Sequence, residues 1–232
     1  MDYLEKNLQT VREQIRETAR EAGRDPAEIC MVAAVKSAEI EEINRLHELG
    51  VDCIGENRVQ QLLAHWDGLR DRDGLQIHFI GQLQSNKVKY IIDKVCLIQS
   101  LDSAHLAAEI EKQSALRNKQ TDVLVEINSG REENKGGILP EDAEAFCLSL
   151  VSYPHIRLRG FMTMAPKCQD REEYAKYFRQ TNALCLDIWY KKLHNNYIPI
   201  ISMGMSDSFQ AAISCGATMV RIGRTLFQGK NT

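Results

Sequence analysis

Short apolar runs recur along the chain, separated by longer stretches in which apolar residues return every three or four positions. The runs cover residues 29–36 (ICMVAAVK), 51–56 (VDCIGE), 77–81 (IHFIG), 95–100 (VCLIQS), 123–128 (VLVEIN), 156–164 (IRLRGFMTM), 198–204 (IPIISMG) and 218–223 (TMVRIG). They are rich in Val, Ile, Phe and Cys and too short for helices, which predicts eight strands. Several lack clean alternation, as expected for parallel strands covered on both faces.

Helical periodicity fills the gaps. Residues 37–50 open on Ser37, carry acids in the first turn and close on Gly50, the start and stop signals of a helix. Residues 101–120 place Leu106, Ile110 and Leu116 on roughly one face. Residues 171–196 form the longest helical pattern after the N-terminus, and residues 206–216 run from polar caps to Gly216. Before the first strand, Leu4, Leu8, Val11 and Ile15 have the spacing of a helix with one buried stripe. Strand then helix, eight times over, predicts a (β/α)8 TIM barrel with an extra N-terminal helix. No Pro/Ser-rich linker divides the chain, so the expectation is a single domain over residues 1–232, with the helix at 1–23 and the barrel at 29–229. A doubly wound open sheet has the same periodicity and is the alternative.

Composition narrows the class. The 232 residues are 44% hydrophobic and 26% charged, with a formal net charge of −3. That balance argues against a broad nucleic-acid or anionic-membrane surface. The N-terminus is charged throughout and has no apolar signal core, so a cytoplasmic protein is expected. The seven cysteines are scattered and form no C-x-x-C pair, which predicts reduced, mostly buried thiols and no metal site.

The first strand ends on a charge. Lys36 follows five apolar residues, and in a barrel the carboxyl ends of the strands form the active face. A lysine there either reaches back to solvent or pairs with an acidic residue, or it serves as a Schiff-base amine toward an aldehyde. Anion sites in such barrels lie beyond strands 7 and 8. After strand 7, Gly204 allows a tight turn and Ser206 opens a helix; after strand 8, Gly223 lets the backbone approach an anion, followed by Arg224 and Thr225. Ser206 reads either as a helix cap or as a phosphate ligand. Arg221, within strand 8, is either half of a buried ion pair or a donor to a ligand. His78 is expected to be a packed residue rather than a base, and Glu126 and Asn128 to face the mouth or pair with Arg221. Met162, Met164, Met203 and Met205 read as adaptable packing.

The segments VAAVK, IGENRVQ, IHFIGQLQSNK, VEINSGREENKGGI, RGFMTM, SMGMSDSF and VRIGRTLF, in this order, resemble the pyridoxal 5′-phosphate (PLP) homeostasis proteins, which are similar to the barrel domain of bacterial alanine racemase. The resemblance covers the chain from near residue 30 to residue 227. It implies PLP held as a Schiff base on Lys36, phosphate contacts from Ser206, Gly223 and Arg224, and Arg221 facing the pyridine nitrogen. It also implies Asn57 near the cofactor and Met203 near the ring or phosphate. The family's role implies intracellular vitamin B6 balance, with PLP-dependent apoenzymes as candidate recipients.

Two features favour a binder over an enzyme, with no catalytic residue assigned. Arg221 stays protonated, so the ring nitrogen facing it is expected to be unprotonated and the ring a poorer electron sink. The seven tyrosines, Tyr174 among them, read as lying in helices or before strands, away from the mouth, so no second acid is expected there. The rivals are a slow PLP-dependent racemase or lyase using Lys36 as its single base, and a PLP-free aldolase or phosphosugar isomerase. A monomer is expected.

Overall fold

The computed structural model describes residues 2–229. Met1 and residues 230–232, part of the expected 1–232 domain, lie outside the described residues. The predicted strands are present as β1 (Cys30–Ala34), β2 (Cys53–Glu56), β3 (Gln76–Phe79), β4 (Leu97–Leu101), β5 (Thr121–Ile127), β6 (Ile156–Thr163), β7 (Ile200–Ser202) and β8 (Met219–Ile222). They follow chain order around a closed parallel barrel, with β8 paired back to β1 from Cys30↔Met219 to Ala33↔Ile222. Closure rules out the open-sheet alternative.

The helices are α1 (Asp2–Glu21), α2 (Ile40–Glu48), α3 (Val59–Trp66), α4 (Val88–Ile91), α5 (Ala104–Leu116), α6 (Ala143–Ser149), α7 (Arg171–Asp187) and α8 (Phe209–Ser214). The expected stripe on α1 is buried: Leu4, Leu8, Val11 and Ile15 all pack into the core. Each such side chain contributes about 1.5–3 kcal/mol relative to exposure. α1 is also tied down by polar contacts. Tyr3 donates to Glu42 on α2, and the Asn7 amide donates to the Leu226 and Gln228 carbonyls at 3.0 and 2.9 Å.

Two expected details differ. α2 begins at Ile40 rather than at Ser37, because Glu39 and Glu42 form a capping box in which Glu42 Oε2 accepts the Glu39 N–H at 2.6 Å. Leu116 is 71% exposed at the end of α5. Ser114 takes the inward position there and bonds Thr121 Oγ1 at 2.7 Å.

Apolar packing falls into two layers. The larger lies between the sheet and the helices. The smaller, inside the barrel, is built from Val32, Cys53, Leu97, Leu124, Met162 and Met219. Period-2 alternation assigns each strand residue to one layer or the other. In β1, Val32 packs inside, while Ala33 and Val35 pack toward the helices. All seven cysteines are free thiols, and Cys96 is exposed. No described helix is long and apolar enough to cross a membrane.

Candidate functional site

The alternation of β1 continues past its last ladder residue. The Val35 N–H still bonds the Gly55 carbonyl at 3.0 Å, which holds the chain extended. Ala34 and Lys36 therefore share the inward phase of Val32, and both line a cavity of about 370 Å³ at the carboxyl ends of the strands. Gln61 on α3 donates to the Lys36 carbonyl at 2.8 Å, fixing the backbone that presents the amine.

The cavity brings together Lys36, Asn57, Ser206, Arg221, Gly223 and Arg224, six of the seven residues anticipated from the sequence. Asn57 follows β2 and packs against Gly81 of the next strand exit. A β-carbon at Gly81 would stand 2.2 Å from the Asn57 carbonyl oxygen, so the close approach of the two loops requires glycine. At the exit of β7, Gly204 has φ +90°, and an added β-carbon would meet Ala212 and Phe209 of α8. This turn carries Ser206 to the rim.

Met203 is the exception. Ser202 faces the barrel interior, where it bonds Gln99 and Arg221. Met203, one position on, therefore faces the helices and is fully buried in the outer core. The methionines that line the cavity are Met164 and Met205.

The cavity also includes Tyr174, which the sequence reading had put away from the mouth. Asp170 caps α7 by accepting the Glu173 N–H, and Tyr174 follows immediately. In a barrel each helix starts at the end where the preceding strand stops, so a residue in its first turns stands beside the mouth. That proximity is the signal that would have found it. Asp207 was also missed. It lines the rim and pairs with Arg224.

Arg221 sits at the base of the cavity, 4% exposed. Its Nη1 donates to Ser202 Oγ at 2.7 Å and its Nη2 to the Thr163 carbonyl at 2.9 Å. Burial lowers its pKa to about 10, partly offset by the nearby Glu126 carboxylate, so it stays charged at neutral pH. Glu126 makes no salt bridge with another described residue, and its attraction to Arg221 acts at longer range. Burial, and secondarily Asp102, push its pKa up to about 7, against the opposing pull of Arg221. Arg221 is thus held by hydrogen bonds to Ser202 and Thr163 and not by a contact ion pair. His78 is packed inside the barrel, as expected, and burial lowers its pKa to about 4.

At the rim, Ser206 Oγ accepts the Thr225 N–H over a long 3.4 Å. A bond of that length is weak, so both groups are available to an incoming anion. Among the described residues there is no group of three or more His, Cys, Asp or Glu side chains arranged to hold a metal ion.

Residues 6–231 match the family model described as alanine racemase, N-terminal domain, so the molecule is a barrel of the alanine racemase type. The chain is 40% identical over 220 residues to the pyridoxal phosphate homeostasis protein of Aquifex aeolicus, covering 95% of each. It belongs to the pyridoxal phosphate homeostasis protein family. Among solved structures, PipY of Synechococcus elongatus with PLP bound superposes with a TM-score of 0.80 at 27% identity, covering 92% of this chain and 99% of that one. Alanine racemase of Clostridium difficile shares the fold, with a TM-score of 0.75 at 20% identity over 100% of this chain and 58% of that one.

Proposed function

We infer that this chain binds PLP in the cavity at the mouth of the barrel and serves to hold and release it in vitamin B6 balance. The observation that carries this reading is the convergence of Lys36, Ser206, Gly223, Arg224 and Arg221 on one cavity. Its volume of about 370 Å³ falls in the range of small-molecule sites, roughly 300–1,000 Å³. The names of the relatives and the PLP-bound neighbour support it.

The donor set fits the cofactor's chemistry. When bound, PLP supplies an aldehyde carbon, an aromatic nitrogen and a phosphate dianion. Lys36 offers the amine for the aldehyde and makes no ion pair with a described residue that would have to be broken first. Arg221 can only donate, which suits an unprotonated ring nitrogen. Ser206, the turn at Gly223 and Arg224 offer a hydroxyl, an unobstructed backbone and a cation for the phosphate. Asn57 and Met164 complete the walls.

The role we assign is carriage rather than amino-acid turnover. Because Tyr174 reaches the cavity, the lack of a second acid is not an argument for that role. Its support is the donor-only character of Arg221 and the name the relatives carry. The purified chain mixed with PLP should turn yellow, and borohydride should bleach the band and leave a stable adduct. Lys36→Ala should lose the adduct while keeping weak binding through the phosphate groups. An undiminished borohydride-stable adduct on Lys36→Ala defeats the assignment of the amine. Rapid loss of optical activity from L-amino acids incubated with the loaded protein defeats the carriage role and favours an enzyme; its loss in Tyr174→Phe would add Tyr174 to Lys36 as a second acid–base group.

A further inference from the structure

The barrel interior below the cavity holds a row of polar side chains that the proposed site does not explain. His78, Gln99, Ser202 and Arg221 are all buried, and each belongs to a different strand. Arg221 Nη1 lies 2.7 Å from Ser202 Oγ, Ser202 Oγ lies 2.7 Å from Gln99 Oε1, and Gln99 Nε2 lies 2.8 Å from His78 Nδ1. Cys53 Sγ, at the first residue of β2, lies beside the imidazole, 3.6 Å from His78 Nδ1 and 3.5 Å from Nε2. The row thus runs from the floor of the cavity down the inside of the barrel.

Its direction follows from the guanidinium at one end and the orientation of the Gln99 amide in the middle. A guanidinium has no acceptor, so Ser202 Oγ must accept from Arg221. The one hydroxyl proton of Ser202 is then left for Gln99 Oε1, which can only accept. The Gln99 amide nitrogen, which can only donate, gives one hydrogen to His78 Nδ1 and the other to Met219 Sδ at 3.1 Å. In this arrangement His78 Nδ1 is bare, and the neutral ring carries its proton on Nε2. Burial favours the neutral ring independently, by lowering the His78 pKa. With the Gln99 amide in this orientation each donor meets an acceptor; turning the amide over would reverse the Gln99–His78 bond and move the ring proton to Nδ1.

We propose that Ser202, Gln99 and His78 are positioning residues: a chain of hydrogen bonds that holds the Arg221 guanidinium in place at the cavity floor and so sets how tightly the site holds a ligand presenting an acceptor there. Two of the guanidinium's hydrogens are committed, to Ser202 and to the Thr163 carbonyl, which fixes its plane. Other N–H donors of the guanidinium remain, and Arg221 lines the cavity. The ligand half of this proposal rests on the PLP reading; the direction of the chain does not.

The experiment has two arms. In the first, the protein without ligand is labelled with 15N-histidine and studied by NMR at neutral pH. His78 should show a bare Nδ1 and a protonated Nε2. An Nδ1–H tautomer or an imidazolium overturns the chain. In the second, PLP affinity and the position of its absorbance band are measured for Ser202→Ala and Ser202→Thr, with thermal unfolding recorded for both. Ser202→Ala should bind PLP about tenfold more weakly, the effect of about one hydrogen bond at a charged group. It should also shift the band, and Ser202→Thr, which restores the hydroxyl, should restore both. Unchanged affinity and band position in Ser202→Ala, or a loss of stability alone, overturns the positioning role. If the wild-type protein itself neither colours nor takes a borohydride label, the PLP reading fails, and the NMR arm still decides the chain.

Discussion

Asp207 competes for the charge that a phosphate needs. Its carboxylate pairs with Arg224 at the rim, and both side chains are well exposed. An exposed pair of this kind is worth about 0–1 kcal/mol, so a dianion can displace it cheaply. On the proposed reading the same carboxylate would then stand near the phosphate and oppose it. Asp207→Asn should bind PLP roughly fivefold more tightly, equivalent to about 1 kcal/mol, and release it more slowly. Arg224→Gln should weaken binding by a similar factor, and in that background Asp207→Asn should have a smaller effect, because its partner is gone. Stopped-flow release of PLP into a trapping apoenzyme measures all four proteins. Unaltered release rates in Asp207→Asn would remove Asp207 from the account.

At the scale of elements, the site depends on how sharply the chain turns as it leaves the strands. Gly204 ends the inward course of β7 with φ +90° and lies against α8. Alanine there faces both a left-handed backbone and a β-carbon 2.5 Å from the Ala212 β-carbon. Gly204→Ala should lower stability by about 2 kcal/mol or more, and weaken PLP binding by displacing Ser206. Urea unfolding and a PLP titration test the two effects. Stability and affinity both at wild-type levels would show that this turn does not hold the rim.

These elements were largely legible in the chain. All eight strands lie within or overlap the apolar runs, because parallel strands covered on both faces leave few polar interruptions. Six of seven anticipated site residues line the cavity, because they lie at strand ends or in the turns that follow, where position in the chain decides position in the barrel. The failures have two causes, the phase of a side chain about its strand and its position along its helix. Met203 was placed by its neighbours in the motif, but the inward position belongs to Ser202. Tyr174 was placed by its helix, but only the first turns of that helix stand beside the mouth. The polar row from Arg221 to His78 was not legible at all. It joins four strands far apart in sequence, and only barrel closure brings them together.

At the scale of the whole molecule, two buried groups tie stability to pH in opposite senses. His78 falls from its ordinary 6.5 to about 4, so between these values the unfolded chain binds more protons than the folded one, and acid weakens the fold. Glu126 rises from 4.5 to about 7, so across that window the folded chain binds more protons, and rising pH weakens the fold. From about pH 4.5 to 6.5 the two contributions cancel. Relative to wild type, Glu126→Gln should therefore become less stable on acidification through this window. His78→Gln should become less stable as pH rises. Each slope should approach about 1 kcal/mol per pH unit. Urea midpoints at several pH values read both slopes. Parallel pH curves for wild type and both variants would contradict the burial assigned to these groups.

The central claim is that the amine at the end of β1, directed inward by strand alternation, is the group that takes the cofactor. Peptide mapping by mass spectrometry, after PLP incubation and borohydride reduction, tests it most directly. The account predicts one reduced PLP per chain, carried by the peptide that contains Lys36. A single dominant label on any other lysine, with the Lys36 peptide unmodified, would contradict it.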